Sequence, residues 1–128
     1  MKLLLDRHAF LYWDMQKERL SDKALELLDD LQNDLYLSLA SIWEIQIKLQ
    51  IGKLSLKLPL PTTIQAHQQA NQLQLLNIKP VHIYNLNQLP FHHKDPFDRM
   101  LLSQAMTEGF SLLSKDTMFA AYSVNVIW

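Results

Sequence analysis

The sequence predicts an α/β fold built on a mostly parallel sheet of about five strands. Two observations carry this. Short apolar runs of four to six residues alternate along the chain with longer stretches of helical periodicity, the order expected of consecutive strand–helix units. Prolines, glycines and short polar residues fall at the ends of those stretches, where helices start and stop. No internal repeat, low-complexity tract or linker divides the 128 residues, so one domain over 1–128 is expected. A chain of this length buries roughly two-thirds of its unfolded surface.

In chain order, KLLL (2–5) reads as a buried strand ending at Asp6, and HAFLYW after it as an aromatic-rich turn or short helix. LSDKALELLDDLQND (20–34) is a helix with Ser21 as N-cap and Leu25, Leu28 and Leu31 on one face. LYLSLA (35–40) is strand-like. SIWEIQIKLQIG (41–52) is a helix whose core face is Ile42, Ile45 and Leu49, stopped by Gly52. KLSLKLPLP (53–61) is an alternating connector broken by two prolines. TTIQAHQQANQLQ (62–74) is a polar helix, LLNI (75–78) a strand and HIYNLNQLP (82–90) a short helix. PFDRMLLSQAMTEG (96–109) is the clearest helix, with Pro96 first, Gly109 as stop, and Phe97, Met100, Leu101 and Ala105 as its buried stripe. FSLL (110–113) is a strand, TMFAAY (117–122) a short helix and VNVIW (124–128) a last strand.

Composition narrows the function. Hydrophobic content of 48% and charged content of 20% are globular values. There is no cysteine, which excludes disulfides, thiolate zinc sites and cysteine nucleophiles and fits a reducing cytoplasm. MKLLLD is too short an apolar stretch for a signal peptide, and no run approaches a membrane span. Net charge is −1, without the basic footprint of a passive nucleic-acid binder. Contact with nucleic acid would have to be local or rely on bound cations.

Four carboxylates follow strands or open helices: Asp6 after 2–5, Glu44 one turn after 35–40, Asp98 in the first turn of its helix, and Asp116 after 110–113. Parallel sheets bind ligands beyond the carboxyl ends of their strands. Each carboxylate also has a structural explanation. Ser41 and Glu44 match a capping box. Asp95, Pro96 and Asp98 make an N-cap, a first-turn proline and an acid that favours the helix dipole. Asp116 can cap the helix at 117, and Asp6 can be a solvated turn residue. Together, however, four converging negative charges would repel and raise one another's pKa. A divalent cation removes that conflict, and an all-oxygen donor set favours magnesium (Mg2+) or manganese (Mn2+) over zinc. The chemistry this points to is hydrolysis of a phosphodiester.

The segments LLLDRHAF, SLASIWEIQIKLQIGKL, LPFHHKDPFDRMLLSQA and LLSKDTMFAAYSVNVIW resemble, in that order, those of PIN-domain ribonucleases, and most closely the VapC-like toxins of bacterial toxin–antitoxin pairs. The resemblance spans essentially the whole chain. HHKDPFDRMLLSQA, SIWEIQIK and GKL are its specific parts. It implies a PIN-like α/β/α sandwich and an Mg2+- or Mn2+-dependent endoribonuclease that cleaves RNA with a metal-activated water. It also implies a homodimer held inactive by a cognate antitoxin, with no membrane association. Carried over by position, its acidic site, catalytic and metal-binding, is Asp6, Glu44, Asp98 and Asp116. Asp95 is the first aspartate of the DPFDR signature, and Ser114 the small hydroxyl residue that would position a water.

Two positions depart from the pattern. Arg7 stands where related sequences carry a small residue, often threonine. It can contact RNA phosphate, or pair with a site carboxylate and weaken activity, the reading preferred because a small residue leaves room where a guanidinium must find it. Phe119 stands where some relatives have a fifth acid. Lys48 and Arg99 are candidate substrate contacts, or alternatively a surface partner of Glu44 and a solvated or paired side chain. His92 and His93 lack a third zinc ligand at usual spacing and are assigned to loop packing. His8 is either a hydrogen-bond donor behind the site or a local structural group. Trp13, Trp43 and Trp128 read as packing anchors. Two other classes fit the alternation of elements. One is a catalytically silent binding module on the same fold, supported by Arg7. The other is a receiver-type signalling domain, for which the acidic pair and the lysine are misplaced.

Overall fold

The computed structural model describes all of residues 1–128. Five strands, β1 (Lys2–Leu5), β2 (Asp34–Ser38), β3 (Gln74–Leu76), β4 (Ser111–Leu113) and β5 (Val126–Ile127), form one sheet in the order β3-β2-β1-β4-β5. Every neighbouring pair is parallel. The helices are α1 (Arg7–Met15), α2 (Asp22–Asp29), α3 (Leu39–Gln50), α4 (Leu60–Asn71), α5 (Pro80–Asn85) and α6 (Pro96–Glu108), with 3-10 turns at Lys17–Arg19, Leu86–Gln88 and Thr117–Ala121.

β1 is the central strand, and Leu3, Leu4 and Leu5 are fully buried because both sheet faces are covered. Alternate side chains go to opposite faces. Leu3, Leu5, Leu35, Leu37 and Leu113 join one core with residues of α1, α2, α3 and α4. Leu4 and Leu112 join a second core with Leu101, Leu102 and Ala105 of α6 and with Phe119. The result is an α/β/α sandwich.

The strand order positions the site. The chain steps outward from β1 to β2 and β3, then returns through α5 and α6 to place β4 on the other side of β1. Connections therefore leave β1 and β4 in opposite directions, which opens a crevice beyond their carboxyl ends. Leu5 pairs with Leu113, so the next residues, Asp6 and Ser114, are neighbours at the floor of that crevice. A receiver domain has its first three strands ordered 2-1-3, so this sheet order overturns the receiver reading.

Local departures from the sequence expectations have identifiable causes. α3 begins at Leu39 because Ser38, the last residue of β2, caps it: its Oγ accepts from the Ala40 N–H at 3.0 Å. Ser41 is therefore a buried helical residue, and the Ser41–Glu44 capping box does not form. α2 ends at Asp29, which leaves Leu31 in a turn with 93% of its surface exposed instead of on the core face. α4 starts at Leu60, two residues early, with Pro61 in its first turn. Ser21, Asp95 and the left-handed Gly52 and Gly109 (φ +73° and +72°) delimit helices as expected. No helix is long and apolar enough to cross a membrane.

Candidate functional site

A cleft of about 460 Å³ lies beyond the carboxyl ends of β1 and β4. Asp6, Glu44, Asp95, Asp98 and Asp116 line it, with Arg7, His8, Tyr12, Lys115, Thr117 and Phe119. The four carboxylates singled out from the sequence thus share one cavity, although they come from β1, α3, α6 and the β4 end.

Asp6 is buried and is not the solvated turn residue that the sequence allowed. It caps α1: its Oδ1 accepts from the Ala9 N–H at 2.8 Å, and its Oδ2 accepts from Ser114 Oγ–H at 2.5 Å. Ser114 Oγ also accepts from the Asp116 N–H at 3.0 Å, so one hydroxyl ties two strand ends together. Burial pushes the Asp6 carboxyl above its ordinary pKa despite the hydrogen bond from Ser114. Asp95 caps α6 by accepting from the N–H groups of Phe97 (2.7 Å) and Asp98 (3.3 Å). Asp98 then projects into the cleft from the first turn. Burial, reinforced by the charges of Asp95 and Glu44, raises its pKa to about 7. Glu44 is likewise raised, by burial first and against the pull of Arg7. Its neighbour is Arg7, whose Nε lies 3.5 Å from Oε1. Lys48 neither pairs with Glu44 nor lines the cleft.

Asp116 is half-exposed, and both of its oxygens have partners. Oδ1 accepts from the Met118 N–H at 2.9 Å, and Oδ2 lies 3.0 Å from His93 Nε2. His93 is the functional candidate that sequence reasoning assigned to loop packing. It does pack, stacking on Phe119 with centroids 4.6 Å apart and planes 17° from parallel. Its ring edge nevertheless faces the carboxylates: one ligand atom each from His93, Asp98 and Asp116 lies within 4.8 Å of the others. Its position two residues before the Asp95 cap was the available signal. The Phe119 ring, standing where a fifth acid occurs in some relatives, is what holds it. Lys115, between Ser114 and Asp116, is a second cleft residue missed from the sequence.

Arg99 is buried and turned away from the cleft, neither solvated nor placed to meet RNA. Its guanidinium donates to the carbonyls of Pro90 (2.8 Å), His93, Leu86 and Leu89 and lies over the Phe91 ring, clamping the loop that carries His93. Trp13 is a core anchor, but Trp43 is 60% exposed, edge-on to Phe97 at 5.3 Å. It borders an apolar groove of about 500 Å³ formed with Leu39, Ile42, Leu60, Ile64 and Leu75.

The donor set fits a divalent cation. Five carboxylates face two fixed cations, Arg7 and Lys115, around the cleft. Burial raises the pKa values of Asp6, Glu44 and Asp98, and for Glu44 and Asp98 neighbouring carboxylates add to the rise, as expected where negative charges are gathered with too little compensation.

The PIN domain family model matches residues 3–125. The chain belongs to the PIN domain family. A comparison with curated protein sequences gives no significant match. Among solved structures, this PIN domain resembles VapBC2 from Rickettsia felis bound to a DNA fragment from its promoter, at TM-score 0.73 and 15% identity over 99% of this chain and 98% of that one. FitAcB from Neisseria gonorrhoeae matches with TM-score 0.66 and 16% identity over 98% and 96% of the two chains. VapBC-1 from nontypeable Haemophilus influenzae matches with TM-score 0.64 and 13% identity over 99% and 97%. At these identities the likeness establishes the PIN fold across the whole chain.

Proposed function

We propose that this PIN domain is a divalent-cation-dependent endoribonuclease and the toxin of a toxin–antitoxin pair. The observation that carries the reading is the gathering of Asp6, Glu44, Asp98 and Asp116 in one cleft at the switch point of the sheet. Asp98 and Asp116, with Asp6 behind them, are the residues that would hold Mg2+ or Mn2+. When bound, the cation supplies Lewis-acid stabilisation for phosphodiester hydrolysis. The chain's own groups do the rest. Ser114 Oγ fixes Asp6 while the 114–116 turn fixes Asp116. Asp95 sets the start of α6 so that Asp98 points inward. Lys115 is the cationic side chain at the rim able to meet a phosphate, Arg7 being paired with Glu44.

A solved toxin–antitoxin complex from Klebsiella pneumoniae with the same fold supports a protein partner. The groove beside Trp43 offers it an apolar surface one residue from Glu44. The second reading, a silent binding module, is favoured by the Arg7–Glu44 ion pair. Incubating RNA with the protein in Mg2+ or Mn2+, with EDTA as control, separates them. Metal-dependent cleavage by the native chain or by Arg7→Thr, lost in Asp98→Asn, is the expected result. Intact RNA with both active forms would reject the nuclease reading.

A further inference from the structure

Resting on the metal-site reading above, we propose that Arg7 serves as a resident cation on Glu44. It withdraws that carboxylate from the ligand set and limits the cleft to one divalent ion at the Asp98–Asp116 cluster.

Three observations converge. First, Arg7 is delivered to the site by construction. It is the first residue of α1, directly after the Asp6 cap, so the hydrogen bond that fixes Asp6 also fixes where the arginine leaves the backbone. Second, its guanidinium is held on two sides, with Nε 3.5 Å from Glu44 Oε1 and Nη2 3.2 Å from His8 Nε2. The side chains of Arg7 and Glu44 are only 21% and 10% exposed, so water competes weakly for the pair. No other cation pairs with Glu44, including Lys48 one turn along α3. Third, the other donors remain separate. His93, Asp98 and Asp116 form their own cluster, and no basic side chain other than His93 pairs with Asp98 or Asp116.

A guanidinium stays charged at any accessible pH. A second divalent ion near Glu44 would therefore sit against a fixed like charge, while the carboxylate that should offset it is already engaged. This makes Arg7 a determinant of how many ions the cleft accepts, which a threonine at the same position could not be.

The test is calorimetric titration of the full chain with Mn2+, with free Mn2+ counted by its paramagnetic resonance signal. Native protein and Arg7→Lys are expected to bind one ion. Arg7→Thr is expected to bind a second ion, or the first at least about tenfold more tightly, the scale of one like-charge contact relieved in a partly screened site. Adding Glu44→Gln to Arg7→Thr is expected to remove that gain. Circular dichroism establishes that each variant is folded. Equal binding by native and Arg7→Thr protein overturns the role of Arg7 and leaves the metal site standing. No binding by any form overturns both.

Discussion

His93 and Asp98 show how single side chains are prepared for the cleft. The His93 main-chain N–H donates to Tyr122 Oη at 2.8 Å, and Nδ1 of the ring lies 3.3 Å from the same oxygen. This fixes the ring so that Nε2 faces Asp116 Oδ2 at 3.0 Å. A partner of this kind orients a metal-binding carboxylate, and its loss commonly weakens affinity about 10- to 100-fold. His93→Ala is expected to lose Mn2+ affinity on that scale. His93→Gln, whose amide nitrogen reaches the place of Nε2, should stay within about threefold of native. Mn2+ titration of both variants is the check, and equal losses would reduce His93 to packing. Asp98 makes a different prediction. Its pKa is raised from 3.8 to about 7 in the folded chain, so the folded state holds the proton more tightly than the unfolded one. Metal-free stability from this group is therefore highest at low pH and falls as pH rises between those two values. Asp98→Asn removes the fall and should stabilise the metal-free protein at pH 8 by about 1–2 kcal/mol, after discounting for the open cleft. The opposing loss of a favourable helix-dipole charge is about 0.3–1 kcal/mol. Melting curves in EDTA at pH 5 and pH 8 should show the gap between variant and native widening with pH.

Among the elements, α3 and α6 present carboxylates through different local devices, and only one was readable. Asp95-Pro96-Phe97-Asp98 announces a cap, a first-turn proline and an inward acid, and α6 forms where expected, although Phe97 and Met100 of the expected stripe are only half-buried and Leu102 is buried beside Leu101 and Ala105. In α3 two serines compete. Ser41 has a glutamate three residues on, but Ser38 stands where the β2 ladder ends, and pairing of Ser38 with Leu76 fixes that end. The choice was made by the sheet, which no local pattern encodes. Ser38→Ala should destabilise the protein by about 1 kcal/mol through loss of the cap, while Ser41→Ala, which accepts no cap hydrogen bond, should cost less. Chemical denaturation of the two variants measures this, and the reverse order would restore the capping box. The five strands and the main helices were legible because their apolar runs and stops are local signals. What was not legible depended on contacts distant in sequence. Arg99 looks like an exposed companion of Asp98 until the 86–93 loop wraps around its guanidinium. His93 looks like a loop residue until Asp116 and Tyr122 arrive from 23 and 29 positions away.

At the scale of the molecule, the problem is a chain of net charge −1 whose proposed substrate is a polyanion and whose cleft is itself acidic. Lys115 and Arg7 are the only fixed cations lining it, and Arg7 is engaged with Glu44. Without a bound cation the cleft should repel RNA; with one, the sign of the local field changes where the phosphate must sit. Metal should thus govern substrate binding as well as cleavage. Fluorescence anisotropy with a single-stranded, 2′-O-methylated RNA, chosen to resist cleavage, should show little binding in EDTA and clear binding in Mn2+. Affinity should depend on salt only weakly. The one free side-chain contact, from Lys115, corresponds to a log–log slope of roughly −0.7 for a single strand, far shallower than that of a protein gripping the backbone along a basic groove. Strong, steeply salt-dependent binding in EDTA would mean that RNA is held by a surface elsewhere on the molecule. The acidic cleft would then have to be separated from substrate recognition.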